Sequence, residues 1–337
     1  MVYGCGSMGT RIASLASESG FETILAGRPS PKLATAAKRL HLNWRASSLE
    51  SPDGLDSLLE GVQIVINTAG PFVRTAAELI RACLRNGCHY LDLSNEPGTF
   101  LGAWSLDADA QHAGIVLVPG AGFGTAVTQA LAVRVLEGIH GPDTLTIVRT
   151  SATGAKSLGT AMTTREILAQ PGAGITDGQW RLQSNKIVSF DLPAGRRTGV
   201  PVGLGDAFAT ARATGIPHVR TYATTTMNPM LARLALPIVR QIIRTGMPGR
   251  LLAPRAGSYA GQSGPDDIQV WIQAANPQGD TATGYIHGDS GGELATRIAM
   301  LAALQLRGPT TPGVITAGEL VGSEAVLDLP GLRVTNL

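Results

Sequence analysis

The feature that most constrains this chain of 337 residues is a glycine-rich segment close to its start. Residues 1–3 are apolar and lead directly into Gly4-Cys5-Gly6-Ser7-Met8-Gly9, after which the sequence has helical character. Between a strand and a helix, G-x-G-x-x-G is typical of dinucleotide binding, because its glycines permit a tight turn, close approach of a pyrophosphate and close helix packing. We therefore predict a pyrophosphate site at the helix N-terminus. The residues expected to form it are Gly4, Gly6, Ser7, Met8 and Gly9.

The second apolar run, residues 21–26, ends in Gly27-Arg28-Pro29-Ser30 and carries no carboxylate at its tip. Domains that bind NAD usually place an Asp or Glu there to hold the ribose hydroxyls. Arg28 is instead a planar cation that can bind a 2′-phosphate and stack on adenine, and Ser30 can add a hydroxyl donor. The sequence thus favours NADP(H) as the cofactor, although a solvated loop arginine would also fit the pattern.

The order of strand and helix signals predicts an α/β protein with two domains. Residues 1–124 alternate between the two signals, which indicates a Rossmann-type doubly wound parallel sheet. Residues 125–290 contain a helix and several strand-like runs, so we expect a second α+β domain on a mixed or antiparallel sheet, serving substrate binding or dimerisation. Residues 291–337 are expected to form a C-terminal helix and a tail that pack back on the Rossmann domain.

Two further loops follow predicted parallel strands, and ligands of such sheets bind at the carboxyl ends of strands. The first runs along the expected nicotinamide half of the cofactor, with Thr68, Ala69, Gly70, Pro71 and Phe72 as candidate contacts. The second contains Ser94 as a cofactor contact, flanked by Asp92, Asn95 and Glu96. These polar groups could bind substrate or relay a proton. Capping of the following helix is the alternative reading.

Composition narrows the function classes further. A net charge of +2 does not indicate a nucleic-acid-binding protein, and the three cysteines lack the spacing of metal ligands. We therefore expect no metal and no disulfide framework, as in a reducing cytoplasm. No secretory signal and no apolar run of about 18 residues stand out, so the predicted localisation is cytoplasmic.

The chain resembles the saccharopine dehydrogenase-like NADP-binding oxidoreductases, which include trans-acting enoyl reductases. The resemblance rests on the glycine segment, on Leu25-Ala26-Gly27-Arg28, on residues 65–72 and 88–96, and on Gly205-Asp206-Ala207-Phe208-Ala209-Thr210-Ala211-Arg212. It implies an NADP-dependent oxidoreductase over nearly the whole chain. The chain departs from the family pattern at residues 156–160, where a Gly-Gly-Thr turn is frequent, and at Gly124-Thr125-Ala126.

The catalytic candidates are Lys156, Tyr222 and Asp92. Lys156 lies in a Ser/Thr/Gly-rich loop and could bind a carbonyl or carboxylate, while Tyr222 ends a strand and could donate a proton. A surface lysine and a core tyrosine are the respective alternatives, and His287 is a further candidate donor. No tyrosine is followed four residues later by lysine, which argues against the short-chain dehydrogenase class.

Residues 230–250 combine apolar side chains with four arginines and Pro237, which interrupts the run. Such a segment can contact a membrane surface or an acyl carrier, cover an apolar substrate, or form the interface of an expected homodimer. The leading prediction is an NADPH-dependent reductase of a polarised double bond, preferably an enoyl group, in a hydrophobic small molecule. Imine or carbonyl reduction is the first alternative, and a non-catalytic NADP-binding sensor or assembly subunit is the second alternative.

Overall fold

The computed structural model describes residues 1–151, 170–244 and 268–336, which form two compact units. Unit one comprises Met1–Ala126 and Gly292–Val326, and unit two comprises Val127–Gly291 and Leu327–Leu337. Unit one is therefore built from two separate stretches of the chain.

The described residues contain sixteen β-strands, numbered in chain order. Their bounds are β1 Val2–Tyr3, β2 Ile24–Gly27, β3 Asn43–Ala46, β4 Ile64–Asn67, β5 His89–Asp92, β6 Val116–Val118, β7 Thr144–Ser151, β8 Ala173–Thr176, β9 Gln179–Leu182, β10 Val188–Leu192, β11 Gly195–Pro201, β12 His218–Thr225, β13 Ile268–Ala275, β14 Thr281–Gly288, β15 Gly313–Val314 and β16 Leu332–Asn336.

The α-helices of the same ranges are also numbered in chain order, and a short 3-10 helix spans Phe72–Arg74. Their bounds are α1 Ser7–Glu18, α2 Pro31–Arg39, α3 Pro52–Leu59, α4 Ala76–Asn86, α5 Pro97–Trp104, α6 Asp107–His112, α7 Phe123–Leu136, α8 Gly205–Thr214, α9 Pro229–Arg244, α10 Gly291–Gln305, α11 Ala317–Val321 and α12 Ser323–Leu327.

Unit one contains a seven-stranded sheet of order β15-β6-β5-β4-β1-β2-β3, in which every pair is parallel. The order reverses on either side of β1, which lies between β4 and β2, and such a switch point is where ligands bind. The carboxyl ends are in register: Tyr3 pairs with Ala26 and with Asn67, and Asn67 pairs with Asp92. The loops after β1, β2, β4 and β5 therefore leave the sheet along one edge.

Helix α2 shows how local sequence sets an element that borders this edge. Ser30 is the N-cap and its hydroxyl accepts from the backbone N–H of Leu33 at 3.3 Å, while Pro31 occupies the first turn. Serine favours the start of a helix because its hydroxyl oxygen accepts from an otherwise unpaired N–H, and proline does so because it has no N–H to pair. Leu33 is buried, so the apolar face of α2 fixes the segment that follows Arg28.

Unit two contains a nine-stranded mixed sheet, whose main path is β10-β11-β12-β7-β13-β14-β16, with β8 and β9 attached through β12. Strands β7 and β12 pair in parallel, and the other pairs are antiparallel. An aromatic cluster lies on one face, where the Phe190 ring meets Tyr222 at 5.1 Å and Trp271 at 5.9 Å between centroids. The predicted fold class, a Rossmann-type parallel sheet with a second mixed sheet, is confirmed.

Two predictions about the chain's later elements need correction. Gly292–Val326 belongs to unit one, but the end of the expected tail, Leu327–Leu337, belongs to unit two, where β16 pairs antiparallel with β14, with Val334 opposite Ile286. Helix α9 also continues through Pro237 instead of being interrupted there. A proline removes one helical N–H bond, and burial of Ala232 and Arg240 on the inner side of α9 holds the helix on both sides of it.

Candidate functional site

The glycine segment forms the turn between β1 and α1, and its three glycines meet different surroundings. Gly4 has a φ of +120°, and its N–H donates to the Ala26 carbonyl at 2.7 Å. A Cβ on Gly9 would lie 1.9 Å from the Gly4 carbonyl oxygen, whereas a Cβ on Gly6 would meet nothing within 4 Å. Gly4 and Gly9 are thus required by the fold, and Gly6 borders open space.

Helix α1 begins at this open space without its own capping group. Gly6 is the N-cap, no side chain caps the helix, and its first turn carries no acidic residue. The first N–H groups of a helix lack partners inside it and carry partial positive charge. Ser7 is exposed at this end, and Met8 is half-buried. We call the glycine turn together with the start of α1 the glycine cradle. It fits a pyrophosphate, since it offers backbone N–H donors and space for close approach.

The tip of β2 carries the cation expected from the sequence. Arg28 is exposed, and it makes no hydrogen bond or ion pair with any part of the chain that the structure describes. Its charge acts on Tyr3 of β1: burial raises the pKa of the Tyr3 phenol, and the Arg28 guanidinium opposes that shift. Ser30 is exposed beside Arg28, but its oxygen already accepts the capping bond of α2. Its hydroxyl proton remains available as a donor.

Asn67 organises the loop after β4. Its side-chain NH₂ group donates to the Tyr90 hydroxyl at 3.1 Å and to Thr75 Oγ1 at 3.0 Å, and its Oδ1 accepts from the Ala69 N–H at 3.0 Å. Thr68 Oγ1 donates to the Tyr3 carbonyl at 3.1 Å, so the loop is also tied to β1. Ala69 is half-buried and Gly70 exposed, which leaves their backbone as the accessible part of the predicted cofactor loop.

Asp92 is completely buried at the end of β5 and binds three donors. Its Oδ1 accepts from the N–H groups of Ser94 and Gly120, both at 2.9 Å, and its Oδ2 accepts from the Tyr90 hydroxyl at 2.8 Å. Burial raises the pKa of Asp92 to about 6, although these hydrogen bonds oppose the shift. The carboxyl thus joins the loops after β5 and β6, and its proposed proton-transfer role stays a prediction.

Glu96 acts as a clamp between two strand-end loops. It is buried, its Oε1 accepts from the Phe72 N–H at 3.1 Å, and its Oε2 accepts from the Val73 N–H at 2.7 Å. The side chain does not cap α5, although Glu96 is the N-cap residue of that helix. Ser94 is also buried, and its Oγ accepts from the Glu96 N–H at 3.0 Å. Pro71 and Phe72 are buried under this clamp.

The remaining catalytic candidates lie elsewhere in the chain. Lys156, with the departure at residues 156–160, falls outside the described residues. Tyr222 lies on β12 in the aromatic cluster of unit two, and burial raises the pKa of its phenol. His287 lies on β14, where the Arg333 guanidinium contacts its Nδ1 at 2.8 Å. The catalytic roles of Lys156, Tyr222 and His287 stay predictions.

Sequence reasoning missed Tyr90 and Thr75, which complete the buried polar network around Asn67. Tyr90 lies in the middle of a mostly apolar strand, and its role depends on Asn67 of the neighbouring strand β4 and on Asp92 at the end of its own strand. A tyrosine at a fully buried strand position, two residues before an aspartate, is the signal that could have indicated it.

Two kinds of feature are absent from the described residues. Residues 1–151, 170–244 and 268–336 contain no group of three or more His, Cys, Asp or Glu side chains placed to hold a metal ion. Across the same ranges, none of the helices combines the length and the apolar character needed to cross a bilayer.

The parallel sheet, the open glycine cradle at its switch point and the uncapped helix define unit one as a dinucleotide-binding domain of the Rossmann type. Residues 1–118 match the family model described as saccharopine dehydrogenase NADP binding domain. The predicted resemblance to the saccharopine dehydrogenase-like oxidoreductases is confirmed by this match.

Curated relatives match over short stretches. The chain is 34% identical over 85 residues to a trans-acting enoyl reductase of Mycobacterium leprae, a match that covers 24% of this chain and 20% of the relative. It is 27% identical over 111 residues to a saccharopine dehydrogenase-like oxidoreductase of Bos taurus, covering 29% and 26% respectively. The matches thus span about a quarter or less of these relatives' lengths.

Among solved structures, apo saccharopine dehydrogenase (L-Glu forming) from Saccharomyces cerevisiae has a similar fold. The TM-score is 0.65, with 14% sequence identity, covering 100% of this chain and 99% of the yeast chain. At this identity the likeness concerns the fold, and it supports the two-sheet architecture described above.

Proposed function

We propose that this protein is an NADPH-dependent reductase of a polarised double bond in a hydrophobic small molecule, with an enoyl C=C as the favoured target. The observation that carries the cofactor choice is Arg28, an exposed cation at the tip of β2. The carboxylate that would repel a 2′-phosphate is absent from residues 27–30.

Residues of unit one are proposed to hold the two phosphate-bearing parts of the cofactor. The uncapped start of α1 and the open side of Gly6 would hold the pyrophosphate, and Arg28 with Ser30 would hold the 2′-phosphate. When bound, NADPH supplies a hydride to the substrate. The chain's own contribution is to fix the loop at residues 68–73, which Asn67 and Glu96 hold from two sides.

The enoyl version is supported by the named activity of the Mycobacterium leprae relative, whose match lies within a small part of its length. Transfer of a hydride to an enoyl carbon leaves negative charge on the conjugated carbonyl oxygen, and a nearby proton donor then completes the reduction. The proposed donors are Lys156 and Tyr222, with Asp92 as the group whose proton could be exchanged.

The cofactor assignment is tested by measuring dissociation constants of NADPH and NADH for Arg28→Ala. Loss of a charge-assisted bond to phosphate should weaken NADPH binding by about 10-fold to 100-fold and leave NADH nearly unchanged. Arg39→Ala is the matched control, since Arg39 is an exposed arginine at the other end of α2. An unchanged NADPH to NADH preference in Arg28→Ala would contradict the assignment.

The reaction is tested by product analysis with NADPH and a panel of apolar enones, ketones and imines. Saturation of the C=C bond is expected. Reduction of only ketones or imines would replace the enoyl proposal by the alternative, and tight NADPH binding without turnover of any class would favour a non-catalytic sensor or assembly subunit.

A further inference from the structure

Unit two contains a cavity of about 320 Å³ beside the inner side of helix α9. Small-molecule sites usually measure about 300–1,000 Å³, so this cavity can hold a small organic molecule. The residues of α9 that line it are spaced three, four and seven positions from the first, which places them on one side of a helix. The lining includes Asn185 and Ile187, which precede β10, and Arg233, Leu236, Pro237 and Arg240 of α9. We call this space the α9 cavity.

The α9 cavity has a positively charged lining. Among the described residues that line it, two carry a guanidinium group and none carries a carboxylate. Arg240 is 9% exposed, and its guanidinium donates to Asn185 Oδ1 at 2.9 Å and to the Pro201 carbonyl at 3.3 Å. These bonds fix one positive charge at the buried part of the cavity.

The second guanidinium is the one with donors available to a ligand. Arg233 is exposed, and within residues 1–151, 170–244 and 268–336 its hydrogen bonding is limited to a long contact of 3.5 Å with the Ile187 carbonyl. A guanidinium has five N–H donors in a fixed fork, so most of those on Arg233 can turn to an anion in the cavity.

Aliphatic groups form another part of the lining. Ile187 is buried, Leu236 is half-buried, and Pro237 is exposed. The lining therefore extends from solvent-accessible residues to buried ones. An apolar group that leaves water against these side chains gains about 25 cal/mol for each Å² that it buries. A ligand with one anionic group and an apolar body would use both kinds of lining.

We propose that the α9 cavity binds a small aliphatic carboxylic acid, with the carboxylate against the Arg233 guanidinium and the hydrocarbon chain against Ile187 and Leu236. The planar fork of an arginine matches the two oxygens of a carboxylate. Arg240 adds positive potential from a buried position, where solvent and salt screen a charge less than at the surface. The site lies within unit two and does not rest on the proposed reductase activity.

The test is calorimetric titration of the whole protein without NADPH, with octanoate as the probe. Octanoate should bind at least about 10-fold more tightly than 1-octanol, which has the same chain length but no charge to pair with arginine. It should also bind at least about 10-fold more tightly than inorganic phosphate, which has the charge but no apolar body.

Two substitutions separate the charged contact from the apolar one. Arg233→Gln should weaken octanoate binding by at least about 10-fold and leave 1-octanol binding nearly unchanged, because it removes the cation alone. Leu236→Ala should weaken the binding of both ligands several-fold, because it removes apolar contact area. Arg181→Gln is the matched control, since Arg181 is an exposed arginine on β9 of the same unit and does not line the cavity. It should bind octanoate as the unaltered protein does, and circular dichroism should show all variants folded.

Four results would overturn the proposal. The first two are absence of octanoate binding at millimolar concentration and equal octanoate affinity in Arg233→Gln and the unaltered protein. Equal affinity for octanoate and 1-octanol would show that the charge is not recognised. Phosphate binding as tight as that of octanoate would show a site for inorganic anions, in which the aliphatic lining makes no contribution.

Discussion

Glu96 holds the backbone of Val73 at 2.7 Å, although 23 residues separate them and they follow different strands. The same carboxylate binds Phe72, so a single buried side chain sets the start of the 3-10 helix after the cofactor loop. Both oxygens of the side chain accept from N–H donors, so this position requires two acceptor atoms.

Glu96→Gln should therefore weaken NADPH binding without changing cofactor preference. The amide can present only one acceptor, and its NH₂ group would face the N–H of Phe72 or Val73, which costs about 1–3 kcal/mol. We expect NADPH affinity to fall by about 10-fold in fluorescence titration. Glu78→Gln, at an exposed position paired with Arg81, should leave affinity unchanged, and a similar loss in both variants would argue against the clamp.

Asp92 should make the protein less stable as pH rises from about 4 to about 6.5. Its pKa is raised from 3.8 to about 6 in the folded protein, so the folded state binds a proton that the unfolded state releases over this interval. The stabilising effect of protonation is complete below pH 4 and is lost as pH rises through 6, with a total of about 3 kcal/mol.

Urea unfolding at several pH values measures this effect, with Asp92→Asn as the comparison. The asparagine keeps an acceptor for Ser94 and Gly120 but does not titrate, so the difference in unfolding free energy between the two proteins should change across the interval. A difference independent of pH would show that Asp92 does not titrate there.

Substitution of two glycines of the cradle should affect protein stability and NADPH binding separately. Gly9→Ala places a methyl group against the Gly4 carbonyl and should destabilise unit one by about 3 kcal/mol or more. Gly6→Ala meets open space, so its melting temperature should stay within a few degrees, while NADPH affinity falls because the methyl group occupies the pyrophosphate approach. Calorimetry and titration of both variants provide the check, and normal affinity in Gly6→Ala would exclude the cradle as the binding site.

In unit two, the ion pair of Arg149 with Asp206 should contribute to stability. Asp206 is fully buried and lies 3.1 Å from the guanidinium, whereas the Asp191–Arg196 pair is mostly exposed at 3.7 Å. Asp206→Asn should cost about 3 kcal/mol because it removes the buried carboxylate that lies against a largely buried guanidinium, and Asp191→Asn should cost less than about 0.5 kcal/mol. Equal losses in denaturant unfolding would contradict this ranking.

The sequence predicts well those parts of unit one that depend on neighbouring residues. The glycine turn, the capped start of α2 at Ser30 and the strand around Ile66 follow from local patterns of backbone freedom, capping and burial. Strand β3 carries mostly exposed residues, so it lacks the apolar signal that identifies the others.

The polar network was less predictable because its partners are distant in sequence. Asn67, Tyr90 and Asp92 meet only after β4 and β5 pair, so no single segment reveals the network. Strand β14 is rich in glycine and threonine, which weakens its alternation, and its assignment depends on pairing with β13.

The order of synthesis has a consequence for unit one. Strand β15 adds to β6 only through Gly313 and Val314, and α10 belongs to the same unit although both follow the whole main stretch of unit two. During synthesis on the ribosome, the edge of β6 therefore stays unpaired until unit two and then β15 have been made. We expect nascent chains that end before Gly292 to depend on chaperones more than the finished protein does, because an open strand edge invites pairing with other chains.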